Sequence, residues 1–194
     1  MIVMNLKIYL FRHGRTYFNE EERFTGWKDS RLTKDGIKNA VVISKKLRNR
    51  KIDVAFETRL SRSRQTLKDV LKYHPECKKI IIDDRMIERS YGLLEGKFHK
   101  TIIKKCGIKR YNIWHRSYNI SPPQGESIKT VEKRVLSFIK DLIEFMKKSK
   151  VNVAISAHGN SMRPFRRYFE KWSVNHMMDV EMPYDKYFEY TIRA

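Results

Sequence analysis

Two stretches decide the fold: residues 6–14, LKIYLFRHG, and residues 151–159, VNVAISAHG. Each begins as a short run of apolar, mostly β-branched and aromatic residues, which is typical of a buried strand. Each run ends at a His-Gly pair, with His13 in the first stretch and His158 in the second. In parallel sheets the carboxyl ends of neighbouring strands meet at one edge, where binding sites form. Neighbouring strands would therefore bring the two histidines together.

Strand-like apolar runs alternate with amphipathic helical segments along the rest of the chain. Strands are predicted at residues 6–11, 52–58, 78–84, 151–156 and 186–193. Helices are predicted at residues 32–50, 62–74, 127–150 and 161–172. Residues 85–126 are predicted to be irregular, with a turn at SPPQGES. This order predicts an α/β fold, a three-layer α/β/α sandwich with a mainly parallel central sheet.

The first predicted helix has clear local signals. Thr33 is the expected N-cap, because its hydroxyl can accept a hydrogen bond from a free amide of the first turn. Helical spacing places one stripe on the side expected to face the core, namely Ile37, Ala40, Val41, Ser44 and Leu47. The helix predicted at 127–150 has a longer apolar stripe of the same kind.

The chain length of 194 residues, without a repeat or a linker, predicts a single domain spanning residues 1–194. The two cysteines are far apart in sequence, which favours neither a disulfide framework nor a zinc site. No apolar run reaches the length of a membrane span, and the N-terminus lacks a signal-peptide pattern. We therefore expect a cytoplasmic protein with no membrane partner.

The net charge of +20 comes from 42 lysines and arginines against 22 acidic residues. A field of this sign favours anionic partners, such as a phosphorylated metabolite or a nucleic acid. The lysines are spread along the chain, so the charge is equally consistent with solubility alone. We expect a small phosphorylated metabolite as the partner and no nucleic acid, and the sequence leaves monomer and dimer open.

The residues beside the two histidines suit phosphoryl transfer. Arg12 precedes His13, and Arg62 opens a helix directly after a predicted strand. A neutral imidazole can act as a nucleophile, while guanidinium groups and a helix N-terminus bind phosphate oxygens. A carboxylic acid is also needed to protonate the leaving oxygen, and Glu88 in MIERSYGLLEG is the best-placed candidate. These residues predict a pocket in which His13, His158, Arg12, Arg62 and Glu88 meet around an anion.

Each of these residues has a structural alternative when it is taken alone. A histidine at the end of a strand, an arginine at a helix start or a glutamate in a loop commonly has no catalytic role. A metal site on His13 and His158 is a further alternative. No HxH or HExxH spacing supports that alternative, and the neighbouring Arg12 would repel a cation, so we expect no metal.

The motifs around these residues resemble those of the histidine phosphatase superfamily, and within it the cofactor-dependent phosphoglycerate mutases. FRHGRTYFN and RFTGWKDSRLTKDG are similar to the patterns RHGESxWN, RFTGW and LTxxG of that family. The similarity continues through TRLSRSRQT, IERSYGLLEG, IWHRSYNISPPQGES and AHGNSMR. It covers residues 6–165 in the family's order, which makes the resemblance specific.

The resemblance implies a role for each matched position. His13 would be the nucleophile that becomes phosphohistidine, and Glu88 would be the general acid and base. Arg12, Arg62 and His158 would bind the transferring phosphoryl group. The positions that match substrate-binding residues are Thr16, Asn19, Thr25, Gly26, Arg89, Tyr91, His99, Lys100, His115, Arg116, Gly159 and Asn160. A mutase of this type would be primed by 2,3-bisphosphoglycerate and would need no metal.

Five positions depart from the mutase pattern. Arg15 stands where Glu is usual, Ser90 where His is usual, and Glu95 where Gln is usual. His99 falls in register with a substrate-binding Lys, and His115 replaces the first member of an Arg pair. A neutral imidazole supplies one donor and no permanent charge. We therefore expect the grip on a second anionic group to strengthen as His115 is protonated below about pH 6.5.

The sequence leaves three functions to be compared. The predicted function is a phosphoglycerate mutase that interconverts 3-phosphoglycerate and 2-phosphoglycerate in glycolysis and gluconeogenesis, because FTGW and IWHRSYNISPP resemble glycerate-holding segments. The alternative is a phosphatase of the same phosphohistidine mechanism that hydrolyses small phosphomonoesters. Arg15, Glu95, His115 and the short stretch before GES favour that alternative. A more remote alternative is a non-catalytic nucleic-acid-binding protein on the same fold, which only the charge favours.

Overall fold

A computed structural model describes residues 4–194, and the first three residues of the predicted domain lie outside the described residues. Five strands form one sheet in the order β3-β2-β4-β1-β5. They are β1 (Asn5–Arg12), β2 (Val54–Glu57), β3 (Lys79–Ile82), β4 (Val153–Ala157) and β5 (Tyr187–Arg193). The pairs β1–β4, β2–β4 and β2–β3 are parallel, and the edge strand β5 is antiparallel to β1. The predicted α/β fold with a mainly parallel sheet is confirmed.

Helices cover both faces of this sheet. They are α1 (Tyr17–Glu20), α2 (Lys34–Leu47), α3 (Ser61–Val70), α4 (His99–Arg116), α5 (Ile128–Ser149), α6 (Gly159–Glu170) and α7 (Val174–Asp179). Buried side chains of α2 and α3 share one apolar cluster with the sheet, and those of α5 and α6 share another. The three layers are therefore α2 and α3, the sheet, and α5 and α6.

The central strand β1 shows why the first apolar run is continuous. Leu6, Ile8 and Leu10 pack into the cluster of α5 and α6. Tyr9 and Phe11 point to the other face and pack into the cluster of α2 and α3. Because helices cover both faces, both sets of side chains are apolar, as is typical of a central parallel strand.

Three helices were not predicted from the sequence, namely the short α1 and α7 and the longer α4. Helix α4 occupies residues 99–116, so the irregular structure predicted for this part of residues 85–126 is wrong. Ile102 is its one fully buried side chain, and the backbone leaves helical geometry at Gly107, where φ is 78°. A helix with so little buried surface and a central break has no strong 3.6-residue periodicity.

The prediction for α2 is confirmed at its start and partly wrong along its face. Thr33 is the N-cap and accepts a hydrogen bond from the amide of Gly36 at 3.1 Å. Ala40, Ser44 and Leu47 are buried as predicted, together with Ile43. However, 49% of Ile37 and 36% of Val41 are exposed. The buried stripe is rotated because it begins at Gly36, which lies against the segment that follows β1.

Gly14 and Gly36 allow the segment that follows β1 to pass directly over the start of α2. A Cβ atom on Gly14 would lie 2.1 Å from the carbonyl oxygen of Gly36. A Cβ atom on Gly36 would lie 2.0 Å from the carbonyl oxygen of Arg15. Both distances are to backbone atoms, which cannot rotate away as a side chain could. The position of the chain immediately after His13 therefore depends on two glycines that are distant in sequence.

Replacing Gly36 by Ala tests this contact. Alanine normally stabilises a helix interior relative to glycine by roughly 0.5–1 kcal/mol. Here the methyl group would overlap backbone atoms, so we expect Gly36→Ala to lower the free energy of unfolding by about 1–3 kcal/mol in urea titrations. The control is Lys45→Ala on the exposed side of α2, which should change the free energy by at most about 0.5 kcal/mol. Stabilisation by Gly36→Ala would contradict the contact.

Candidate active site

The two histidines lie side by side at the carboxyl edge of the sheet. Strands β1 and β4 pair in parallel with Arg12 opposite Ala157, and the amide of His13 donates to the carbonyl of Ala157 at 3.0 Å. Both imidazoles are buried, and their ring centroids are 4.9 Å apart. The structure thus brings together the two His-Gly pairs of the opening stretches.

The His13 ring is held as one neutral tautomer. Its Nδ1 lies 2.7 Å from the carbonyl oxygen of Gly14, so Nδ1 carries the hydrogen and Nε2 carries the lone pair. Burial lowers the pKa of His13 well below its ordinary value, and the positive charges of Arg62 and Arg12 lower it further. A neutral imidazole with a free Nε2 is the form that can act as a nucleophile.

The His158 ring is also buried and neutral. Burial lowers its pKa well below the ordinary value, and Arg62 is the nearby charge that contributes most. Nε2 of His158 lies 2.8 Å from the hydroxyl oxygen of Thr58, while Nδ1 is buried without a hydrogen-bond partner among the described residues. In the tautomer in which the Thr58 hydroxyl donates to Nε2, Nδ1 carries the hydrogen and can donate to an anion.

Two arginines flank the histidines. Arg62 is fully buried in the first turn of α3, and its terminal nitrogens donate to the carbonyls of Gly26 at 2.7 Å and Lys28 at 3.2 Å. Arg12 donates through Nη1 to the carbonyl of Met182 at 2.7 Å, and its guanidinium lies 3.9 Å from the ring centre of Tyr184. The Nε atoms of both arginines are buried without a partner among the described residues. These anchored guanidinium groups make the site strongly attractive to an anion.

Glu88 is fixed beside the histidines at both its backbone and its carboxylate. Its Oε1 accepts hydrogen bonds from the amides of Arg89 at 2.7 Å and Asn160 at 3.1 Å. Its backbone carbonyl accepts from Trp27 Nε1 at 2.8 Å and from Arg134 Nη2 at 3.0 Å. The carboxyl group is buried and leaves Oε2 without a hydrogen bond among the described residues. Glu88 is therefore held in place with one oxygen available for proton transfer.

His13, Glu88 and His158 also have the spacing of a metal site. Ligand-type atoms of His13, Glu88 and His158 all lie within 4.8 Å of one another. The guanidinium groups of Arg12 and Arg62 act on both rings, and like charges in a buried site disfavour a bound cation. The arrangement suits an anion better than a metal ion, and the expected lack of a metal requirement stays a prediction.

A cavity of about 180 Å³ opens beside this cluster. Its lining residues are Arg12, Asn19, Arg23, Phe24, Thr25, Glu88, Tyr91, His99, His115, Arg116, Gly159, Asn160, Arg163, Met178 and Met182. Four of these are arginines and one is a carboxylate. The volume is below the roughly 300–1,000 Å³ of sites for drug-sized ligands. The cavity therefore suits a small anion.

The structure divides the predicted substrate-binding residues into two groups. The residues that line the cavity are Asn19, Thr25, Tyr91, His99, His115, Arg116, Gly159 and Asn160. The other four, Thr16, Gly26, Arg89 and Lys100, do not line it. Thr16 is the buried N-cap of α1, and the carbonyl of Gly26 accepts a hydrogen bond from Arg62. Both support residues of the site from outside the cavity.

Arg89 and Lys100 lie outside the cavity lining, and their substrate-binding role stays a prediction. The buried Arg89 guanidinium and Nε donate to four backbone carbonyl groups, two of which lie at the end of α4. Its donors are therefore engaged in holding α4 against the site. Lys100 is exposed, with its ammonium 6.0 Å from the ring centre of Phe98.

The expected protonation of His115 near pH 6.5 is wrong. Burial lowers the pKa of His115 to about 3, and the charge of Arg116 is the next largest cause. The ring packs against Phe24, Tyr91, His99 and Tyr111 at the end of the cavity. His115 is therefore neutral across the physiological range, and its charge cannot adjust the grip on an anion there.

Five lining residues were not predicted: Arg23, Phe24, Arg163, Met178 and Met182. Arg163 had a usable signal, because it follows Gly159 by one helical turn and so shares its face of α6. No sequence pattern indicated that Met178 and Met182 line the cavity. They reach the cavity because Arg163 and Arg12 bind carbonyl groups of the C-terminal segment.

Comparisons with known proteins match the chain to one family. The family model of the histidine phosphatase superfamily (branch 1) matches residues 8–193. A phosphoglycerate mutase of Schizosaccharomyces pombe is 40% identical over 161 residues, which are 80% of this chain and 75% of that protein. A 2,3-bisphosphoglycerate-dependent phosphoglycerate mutase of Chlamydia caviae is 33% identical, over 92% of this chain and 90% of its own.

Solved structures share the fold across different activities. A mycobacterial glucosyl-3-phosphoglycerate phosphatase, 20% identical, superimposes with a TM-score of 0.82 over 97% of this chain and 91% of its own. At this identity the likeness shows the fold alone. Between residues 4 and 194, no helix has the length and apolar character that crossing a membrane requires. With a family match over almost the whole chain and two relatives above 30% identity, this chain belongs to the histidine phosphatase superfamily.

Proposed function

We propose that the protein is a phosphoglycerate mutase, interconverting 3-phosphoglycerate and 2-phosphoglycerate through a phosphohistidine on His13 in glycolysis and gluconeogenesis. The observation that carries the proposal is the buried, neutral His13 beside Arg12, Arg62, His158 and the fixed carboxyl of Glu88. The size of the cavity and its excess of arginines favour a small phosphorylated metabolite. The names of the two relatives point to the same substrate.

The first half-reaction follows from the positions of these groups. Nε2 of His13 attacks phosphorus, the N–P bond forms, and the bond from phosphorus to the leaving oxygen breaks. Glu88 donates a proton to that oxygen as it leaves. The charge on the phosphoryl oxygens is stabilised by Arg12, Arg62 and the Nδ1–H of His158, all of which are in place before the reaction.

The second half-reaction runs the same steps in reverse toward a different acceptor. Glu88, now a carboxylate, removes a proton from the free hydroxyl of a bound phosphoglycerate, which accepts the phosphoryl group and becomes 2,3-bisphosphoglycerate. That oxygen attacks phosphorus and the N–P bond to His13 breaks, which regenerates the neutral imidazole. Tyr91, Arg116 and Asn160 line the cavity where the glycerate would be held during the exchange.

The residues of the site fit 2,3-bisphosphoglycerate as a primer. The unpartnered buried Nε atoms of Arg12 and Arg62 and Nδ1 of His158 would hold one phosphate, and Arg116 faces the same cavity. When bound, this molecule would supply the phosphoryl group that first loads His13. A glycolytic role places the protein in the cytoplasm, and neither a metal ion nor a particular oligomeric state is part of the proposal.

A phosphatase acting through the same phosphohistidine is the second candidate. His99 and His115, which stand where mutases have cations, are neutral because burial lowers the pKa of both rings. A weaker grip on the second anionic group would let the phosphoglycerate leave before it accepts the phosphoryl group. Water would then attack the phosphohistidine, and free phosphate would be the product.

The two candidates differ in a directly measurable product. We expect the protein to form 2-phosphoglycerate from 3-phosphoglycerate in phosphorus NMR when 2,3-bisphosphoglycerate is added, and to do so equally in EDTA. Free phosphate as the main product would favour the phosphatase. Activity lost in EDTA and restored by a metal ion would contradict the mechanism. No turnover, together with salt-sensitive binding of DNA or RNA, would favour the nucleic-acid-binding alternative.

Replacing His13 tests the nucleophile. We expect His13→Ala to abolish both the formation of 2-phosphoglycerate and the acid-labile, base-stable labelling of the enzyme by 2,3-bisphosphoglycerate, because Nε2 of His13 supplies the lone pair that takes the phosphoryl group. His176→Ala, which removes an exposed histidine on α7, is the matched control and should label at the normal rate. Normal labelling of the His13 variant would show that the nucleophile lies elsewhere.

Replacing Glu88 tests the proton donor. We expect Glu88→Gln to slow turnover of alkyl phosphates by roughly a hundredfold or more, the usual contribution of a positioned general acid. An activated aryl phosphate, whose leaving oxygen needs little protonation, should lose much less. Rates for both substrate types are compared with those of Glu144→Gln, an exposed carboxylate on α5 that should behave as the wild type. Equal losses on both substrate types would argue against the acid role.

A further inference from the structure

Two of the four arginines that line the cavity have no part in the proposed chemistry, namely Arg23 and Arg163. The charge of Arg23 is compensated, because its guanidinium pairs with Glu21 at 2.6 Å and lies 4.0 Å from the ring centre of Phe98. Arg163 pairs with no acidic side chain among residues 4–194. Its charge therefore faces the cavity without compensation.

The guanidinium of Arg163 is anchored on one side and free on the other. Nη1 donates to the backbone carbonyls of Met177 at 2.7 Å and Met178 at 2.8 Å in α7. Nη2 makes no hydrogen bond within the part of the chain that the structure describes. The side chain is thus held in a fixed orientation, and its remaining donors are available to a ligand. Such preorganisation lowers the entropy lost on binding.

Arg163 shares its end of the cavity with Arg116. Burial lowers the pKa of Arg163, and Arg116 is the positive charge that contributes most to that shift. Arg116 lies at the end of α4 and makes no salt bridge among the described residues. Two like charges that face one space repel each other, and an anion between them would remove the repulsion. The neighbouring His115 ring cannot take this role because it is neutral.

We propose that Arg163, together with Arg116, binds the second anionic group of the substrate, the carboxylate of a phosphoglycerate. Arg163 thereby takes the place of the guanidinium that is missing at position 115, from a different helix. It selects phosphate esters that carry a carboxylate over esters of the same size that do not. The choice of glycerate as the ligand rests on the proposed function, whereas the location of the anion site rests on Arg163 and Arg116 themselves.

The test compares two ligands whose charges differ only by one carboxylate. 3-Phosphoglycerate carries it, and glycerol 3-phosphate does not. Each is titrated by calorimetry in a His13→Ala background, so that no phosphoryl transfer consumes the ligand. The variants are Arg163→Met and Arg163→Lys. The control is Ser173→Ala, which removes the N-cap of α7 and loosens the segment that Arg163 anchors, but leaves the guanidinium in place.

We expect Arg163→Met to weaken binding of 3-phosphoglycerate by about ten- to a hundredfold, the effect of one charged hydrogen-bonded contact. Binding of glycerol 3-phosphate should weaken by less than about threefold. Arg163→Lys, which keeps the charge but loses the two terminal nitrogens of the guanidinium, should give an intermediate loss of affinity for 3-phosphoglycerate. Ser173→Ala should affect both ligands to the same degree. Equal losses of both ligands in Arg163→Met, no loss, or no binding of 3-phosphoglycerate to the parent protein would overturn the proposal.

A second measurement separates this proposal from the proposed function. The wild-type enzyme is incubated with 3-phosphoglycerate and 2,3-bisphosphoglycerate and followed by phosphorus NMR. If neither 2-phosphoglycerate nor phosphate is formed while Arg163-dependent binding of 3-phosphoglycerate persists, the proposed function fails and the anion site stands. If turnover is normal and Arg163→Met leaves the KM for 3-phosphoglycerate unchanged, the anion site fails and the proposed function stands.

Discussion

The parallel pairing of β1 with β4 is the constraint on which both the core and the site depend. Its register sets Arg12 opposite Ala157. One further hydrogen bond, from the amide of His13 to the carbonyl of Ala157, extends the pairing to His13. A shift by one residue would move Tyr9 and Phe11 to the opposite face of the sheet. The same shift would separate His13 from His158. The packing of the apolar side chains therefore fixes the geometry of the polar ones.

Burial and positive charge act together on the chemistry of this edge. The guanidinium groups of Arg12 and Arg62 lower the pKa of His13 and are also the groups suited to bind phosphate oxygens. The guanidinium groups that suit a phosphoryl group therefore also keep the His13 ring neutral. The orientation of that ring depends on the carbonyl of Gly14, whose position depends on close contact with Gly36. Overpacking there would disturb the ring as well as the fold.

The strands, four of the helices and the meeting of the two histidines could be predicted because they follow from local periodicity and from where strands end. Helix α4 could not, since Ile102 alone is buried in it and Gly107 interrupts it. The partners of Arg89 are backbone carbonyls that only the tertiary structure brings together. The low pKa of His115 depends mainly on burial, which the sequence does not show, and further on the adjacent Arg116. These features depend on contacts between residues that are distant in sequence, and the motifs therefore do not predict them.

Ser90 and Glu95, which depart from the mutase pattern, contact residues that support the site, and neither side chain lines the cavity. The Glu95 carboxylate accepts hydrogen bonds from the amides of Trp27, Lys28 and Tyr91 and from the Ser90 hydroxyl, and it does not line the cavity. It thus ties the loop that contains Trp27 to the segment that contains Glu88, and the Trp27 indole in turn donates to the carbonyl of Glu88. A serine at position 90 suits this network because its hydroxyl can donate to the carboxylate. Under the proposed function, the choice between a phosphoglycerate hydroxyl and water as acceptor would therefore depend on side chains that line the cavity, among them the neutral His115 ring and the guanidinium groups of Arg116 and Arg163.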